Sequence, residues 1–267
     1  MENTRLITTL RLLDRRERRR LREFLASPFF NKRTMLLDFY VAIEESILKK
    51  PPPTKVKSEA LHKRLRTGKP YSKKEFEKRS GELLQLVYQF LSQLELEFSE
   101  GDTLLRLLSN LERRQADGLL GSQIRRAAKY FQNNAPRNPD YHFRLFDLEG
   151  IRQGHFRRSQ ARHSLGNHSK GLDHLDTGYF AHLFKLLYIE HNEQKIVGKT
   201  VEVDRYAAVV ARIQENPAQL QGLPALWFRL FMSEVGEDKY AHFAELRRIL
   251  KASGSAASPS EYLQIYT

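Results

Sequence analysis

Apolar residues recur at every third or fourth position along almost the whole chain, the spacing that places them on one face of an α-helix. Leu6, Leu10 and Leu13 predict a short first helix. Asp14 followed by Glu17 predicts a capping box, in which each side chain satisfies an amide left free at a helix start. The helix so opened turns Leu21, Phe24 and Leu25 inward and ends at Ser27-Pro28, because proline disfavours helical geometry in the residue before it. Asn31 is placed to cap a third helix with Leu36, Leu37, Tyr40, Ile43 and Ile47 on its apolar face, and Pro51-Pro52-Pro53 stops it.

Ser58 begins a short helix, 58–66, that ends at Gly68. Ser72 with Glu75 forms a second capping-box pattern and opens the longest predicted helix, 72–97, with Phe76, Leu83, Leu84, Val87, Phe90, Leu91 and Leu94 on its stripe. Gly101-Asp102-Thr103 closes that segment. Helices then recur at 103–115, 119–133, 139–156, 172–192, 203–215, 219–234 and 237–252, broken at Gly118, Asn133 to Pro139, Gly166 to Gly171, Gly198, Pro217 and Gly236. Lys195 to Val203 alone has strand character, and Gly198 divides it. The expected fold is all-α: a helical-hairpin array, either a tetratricopeptide-like solenoid or a compact bundle, with an N-terminal helical module at 1–98 and the array at 99–267. No clean repeat period accompanies it. Tyr179, Phe180, Phe184 and Tyr188 suit the gaps between stacked helix pairs.

Charge divides the chain more sharply than hydropathy does. Residues 1–80 carry 22 Lys+Arg against 10 Asp+Glu, while the rest is nearly balanced. One end is therefore built to face something acidic. A hydrophobic fraction of 40% over 267 residues supports a folded core rather than disorder. Cys is absent, so disulfides and thiolate metal sites are excluded. The N-terminus lacks the apolar run and small-residue cleavage site of a signal peptide, and no stretch approaches a membrane span. The expectation is a cytoplasmic protein that does not enter the membrane.

Two basic segments are the candidate contact residues. Arg15, Arg16, Arg18, Arg19 and Arg20 put cations around most of one helix, with Leu21, Phe24 and Leu25 inward. Such a surface pairs with phosphates and releases counterions, and it equally suits a solvated face with Glu17 and Glu23 in local pairs. Lys73, Lys74, Lys78 and Arg79 lie at the start of the second helix of a hairpin with helix-turn-helix character. That start lacks the Asn and Gln that read adenine, which favours backbone contact or plain solubility over base readout.

Other chemistry is weaker. His155, His163, His168 and His174, with Asp173 and Asp176 nearby, do not fall at the spacing of two ligands on one helical face, so a polar loop is the simpler account and no metal is assigned. There is no Gly-x-Ser-x-Gly elbow and no phosphate-cradling loop, and Glu190, Glu193 and Glu202 are scattered acids. Neither catalytic residues nor a cofactor is expected. Trp227, Phe228 and Phe231 suit either a core or an anchor for a partner.

Three patterns, Leu21-x-x-Phe24-Leu25-x-Ser27-Pro28-Phe29-Phe30-Asn31, Gly68-Lys69-Pro70-Tyr71 and Leu175-Asp176-x-x-Tyr179-Phe180, resemble a family of uncharacterised bacterial all-helical proteins. The resemblance implies an N-terminal helical module followed by tetratricopeptide-like helices, and no activity. Members of that family are usually longer. Tyr262 to Thr267 has the pattern of a further helix opening, so the array is expected to lack its last cap. The functional expectation is a non-enzymatic scaffold that binds a protein or peptide along a helical groove. The alternative is a nucleic-acid-associated regulator that uses the basic module 1–98, with Arg15, Arg16, Arg19, Lys73, Lys74 and Lys78 converging on one face.

Overall fold

A computed structural model describes residues 4–47, 58–65, 70–134, 137–159, 168–198, 206–216 and 220–252. Among these residues every regular element is a helix, so the fold is all-α. The predicted breaks at Pro51 to Pro53, Gly68, Gly166 and Pro217, and the opening at Tyr262, lie outside the described residues. The chain divides into two compact units, Met1–Ser99 and Glu100–Thr267.

The first unit holds α1 (Arg5–Leu12), α2 (Arg15–Ala26), α3 (Met35–Ile47), α4 (Ser58–Arg64) and α5 (Lys73–Phe98). Helices α1, α2 and α3 pack on α5, and α4 packs on α3. Their apolar faces meet in one core that includes Ile7, Leu10, Leu21, Leu25, Phe39, Tyr40, Ile43, Leu83 and Val87. Each such side chain taken from water contributes roughly 1.5–3 kcal/mol, which is what holds short helices like α1 in place.

The two predicted capping boxes have different outcomes. At α2 the box is complete: the Glu17 amide donates to Asp14 Oδ1 at 2.7 Å and the Asp14 amide to Glu17 Oε2 at 2.9 Å. At α5 the Glu75 amide reaches Ser72 Oγ at 3.4 Å, but the Glu75 carboxylate accepts from Arg79 instead of returning to the cap. Asn31 is not a helix cap. It is buried, its Nδ2 donates to the Leu25 carbonyl and its Oδ1 accepts from the Arg33 amide, so it braces the turn between α2 and α3.

The second unit holds α6 (Glu100–Arg113), α7 (Asp117–Asn133), α8 (Pro139–Ser159), α9 (Ser169–Val197), α10 (Ala207–Glu215), α11 (Leu223–Val235) and α12 (Lys239–Ala252). Side-chain pairs set the directions. Arg158 of α8 binds both Glu112 and Asp117, Arg144 binds Asp102, and the Tyr141 hydroxyl donates to the Phe131 carbonyl. Thus α7 runs against α6 and α8, and α8 runs along α6. His182 of α9 meets Asp140, and Gly171 faces Glu149, so α9 returns antiparallel to α8. Phe184 and Tyr188 of α9 meet Phe228 and Trp227 of α11. One core lies under α6, α7 and α8, and a second under α9 to α12. Trp227, Phe228 and Phe231 belong to that second core and are about 1–2% exposed, which removes them as partner anchors.

Several glycines act through packing or backbone geometry rather than as breaks. Gly101 lies inside α6, and a Cβ there would meet the rings of Phe131 and Tyr130 at 3.2 Å, so its bareness lets α7 approach. Gly118 lies inside α7; the break falls instead at Gln115, whose φ is +54°. Gly198 does stop its helix, with φ +69°, but α9 first absorbs Lys195, Ile196 and Val197, the first part of the segment with strand character. The remainder of that segment, Lys199 to Val203, is outside the described residues.

Candidate functional site

The nine candidate cations do not form one surface. Arg20 of α2 forms a two-pronged pair with Glu97 near the end of α5, the rings of Phe24 and Phe90 are 5.6 Å apart, and Arg33 binds Glu82 at 2.5 Å. The chain from α2 through the following turn therefore descends α5 from its C-terminal end. Arg15 and Arg16 lie toward that end, whereas Lys73, Lys74 and Lys78 lie at the other. About 34 Å of helix separates Lys74 from Glu97 at the usual rise. The expected convergence of Arg15, Arg16, Arg19, Lys73, Lys74 and Lys78 on one face is not what the packing of α2 on α5 produces.

The individual environments differ as well. Arg15 and Arg16 are exposed, Arg19 is exposed beside Glu23, and Arg18 is half-buried with its Nε donating to the Leu13 carbonyl. Lys73 lies 3.9 Å from Glu77, and Lys74 and Lys78 are exposed. Arg79 is the exception: it is 6% exposed and donates to Glu75 at 3.2 Å. It is a structural residue of the unit rather than a contact for an outside partner.

Between α2 and α3, alongside the middle of α5, sits an unusual turn. Phe30 stacks on Phe24 with ring centroids 4.2 Å apart, Phe29 meets Phe30 edge-on at 4.9 Å, and the amides of Phe30 and Asn31 both donate to the Ser27 carbonyl. With Asn31 buried beneath it, this turn holds the Phe29 ring 81% exposed.

The second unit presents a different face. Along α9, Leu172, Leu175, Tyr179, Leu186, Ile189 and Ile196 are all exposed. Their spacing of three, four and seven follows the seam of a coiled coil, with His182 and Glu193 at the two intervening seam positions. The opposite side of α9, with Ala181, Phe184 and Leu187, is buried. α9 is thus apolar on two faces: α11 covers one, and on the other α8 packs on seam position His182 through Asp140 and Phe143, leaving Leu186, Ile189 and Ile196 beyond it exposed. Phe146 of α8 is also exposed, and it lines a cavity of about 240 Å³ with Glu149, Gly150, Gln153, His168, Gly171 and Leu172. A more open groove of about 610 Å³ between α6 and α8 is mixed in character, lined by Leu105, Arg106, Ser109, Asn110 and Arg113 with Asp102 and Asp147.

The histidines scatter. His155 lies 3.6 Å from Asp117, His168 borders the smaller cavity, and His163 is outside the described residues. His174 instead faces His142, a residue the sequence reading passes over, with ring centroids 5.8 Å apart. Burial, then the neighbouring His174 and Arg137, push the His142 imidazole down to about 4. Burial lowers His174 as well. Among the described residues no three His, Cys, Asp or Glu side chains converge to hold a metal ion. No helix among them is long and apolar enough to cross a membrane.

Comparison of the chain with protein-family models, with curated proteins and with solved structures returned no match.

Proposed function

We propose that this chain is a non-enzymatic cytoplasmic scaffold whose second unit, a tetratricopeptide-like array, takes up an amphipathic helix of a protein partner along α9. The observation that carries this reading is the exposed seam Leu172, Leu175, Tyr179, Leu186, Ile189 and Ile196. A helix laid on a surface is held by apolar side chains at this spacing, and a helix already packed on its other side needs no ordering to receive one. The alternating helix directions and the parallel pairs α6 with α8 and α9 with α11, the latter set by Phe184 with Phe228 and Lys195 with Glu234, support a stacked array. The resemblance seen in the Leu175-Asp176-x-x-Tyr179-Phe180 pattern agrees with it.

The test places a photo-crosslinking amino acid at position 186 or 189 in cells, with exposed Gln85 as control. The expected result is one discrete protein adduct from both α9 positions, lost when Leu175→Glu is added, and none from position 85. Diffuse adducts, or the same adducts from all three positions, defeat the reading.

A second reading keeps one observation in its favour: Arg15 and Arg16 are exposed, and no carboxylate among the described residues pairs with them. A nucleic-acid-associated regulator using this end of the basic module has two or three phosphate contacts to offer rather than six. At about 0.9 per contact on duplex, the log–log salt slope of binding is then about −2 to −3.

A further inference from the structure

We infer that the Phe29 turn is a second docking site, in the first unit, for an acidic peptide segment bearing interspersed apolar side chains. This inference stands apart from the α9 reading and shares no residue with it. Three observations carry it. First, the turn is built rather than loose: two amides close on the Ser27 carbonyl, Asn31 is buried under it, and Phe30 is stacked on Phe24. An aromatic ring held 81% in water by such a frame exposes apolar surface that the same turn had the means to cover. Exposed Phe30, edge-on to Phe29, enlarges the apolar patch.

Second, exposed cations outnumber free acids along the side of α5 to which Arg33 ties the turn. Arg33 ties the turn to Glu82, and Lys78 and Lys74 lie one and two helical turns from Glu82 on the same face of α5. Lys32 is exposed on the turn itself. Of the surrounding acids, Glu82 is engaged by Arg33, Glu75 by Arg79 and Glu77 by Lys73, while Asp38 stays exposed on α3. Lys32, Lys74 and Lys78 are thus left to attract an acidic ligand.

Third, the arginines of this region that would suit phosphate are occupied, Arg33 by Glu82 and Arg22 by Glu44. Point-charge lysines around an apolar patch match an acidic, partly apolar peptide better than a nucleic-acid backbone.

The experiment uses the full chain and three fluorescent probes: a 16-residue peptide of Asp and Glu with Leu and Phe at every fourth position, the same peptide with those apolar residues changed to Ser, and a 15-nucleotide oligothymidylate. The expected result is binding of the first peptide, with at least tenfold loss in Phe29→Ala and in Lys74→Glu/Lys78→Glu. The Ser-substituted peptide binds at least tenfold more weakly than its parent. Phe29 and both lysines are exposed, so circular dichroism melts of these variants should match the parent protein. No binding of the first peptide overturns the proposal, as does binding that ignores Phe29. Tighter, Phe29-dependent binding of the oligothymidylate overturns it in favour of a stacking platform for single strands.

Discussion

Gln115 has a left-handed backbone, φ +54°, two residues beyond the end of α6. Its amide donates to the Glu112 carbonyl and that of Ala116 to the Leu111 carbonyl, the paired bonds of a helix stop in which glycine usually holds the position of Gln115. A side chain in that conformation costs about 1–2 kcal/mol, and glycine returns part of the gain by loosening the unfolded chain. Gln115→Gly is therefore expected to stabilise the protein by about 0.5 kcal/mol, raising its midpoint by about 1–2 °C in a thermal melt. An unchanged or lower midpoint contradicts this account. Nothing in the sequence marked the position: Gly118, three residues on, looked like the break because it is the local glycine, yet it sits inside α7. His142 was hidden for another reason. It lies far from His174 in the chain, and only the antiparallel return of α9 along α8 brings the rings together. Its folded-state proton affinity is lowered to about 4, below the free value of 6.5. The unfolded chain therefore binds the proton first as pH falls. Stability from this group is intact above about pH 6.5 and is lost progressively toward pH 4. His142→Gln should shrink the drop in melting temperature between pH 7 and 5; an identical drop in both proteins rules His142 out as the cause.

Among the elements, helix existence was readable almost throughout because the apolar stripes are long and regular. Boundaries were less so, since a boundary depends on where capping groups find partners. The α2 start was legible because Asp14 and Glu17 have no competing partner, and their reciprocal bonds form. At α5 the same pattern misled, because Glu75 pairs with buried Arg79 and leaves the Ser72 cap with one long bond of 3.4 Å. The two caps should therefore differ in worth. Asp14→Ala is expected to cost about 1 kcal/mol and Ser72→Ala about half of that, measured by chemical denaturation. Equal losses contradict the geometry. Gly101 shows the limit of composition: a glycine after a long helix reads as a stop, whereas here it lets the Phe131 and Tyr130 rings approach the α6 backbone. The α9 seam was missed because attention goes first to one apolar face. A helix with apolar residues on two faces, Phe184 and Leu187 on one and Leu186 and Ile189 on the other, carries a signal that could have been read.

At the scale of the molecule, the charge asymmetry of the first eighty residues was plain in the sequence, but its distribution was not. Clustering along a chain says nothing about clustering in space. What divides Arg15 and Arg16 from Lys74 and Lys78 is the descent of α2 along α5, visible only through Arg20 with Glu97, Phe24 with Phe90 and Arg33 with Glu82. This separation makes a double dissociation the decisive measurement. If the two ends are independent surfaces, Lys74→Glu/Lys78→Glu abolishes binding of the acidic apolar peptide and leaves duplex binding within about twofold, because neither lysine is within a screening length of about 8–10 Å of Arg15. Arg15→Glu/Arg16→Glu does the converse, removing whatever duplex affinity exists and sparing the peptide. A single contiguous basic face predicts that each pair weakens both ligands, with a duplex salt slope near −5 rather than −2 to −3. The antiparallel path of α2 on α5 decides for the first pattern, since long-range attraction between the two ends is screened at physiological salt and no side chain spans the gap.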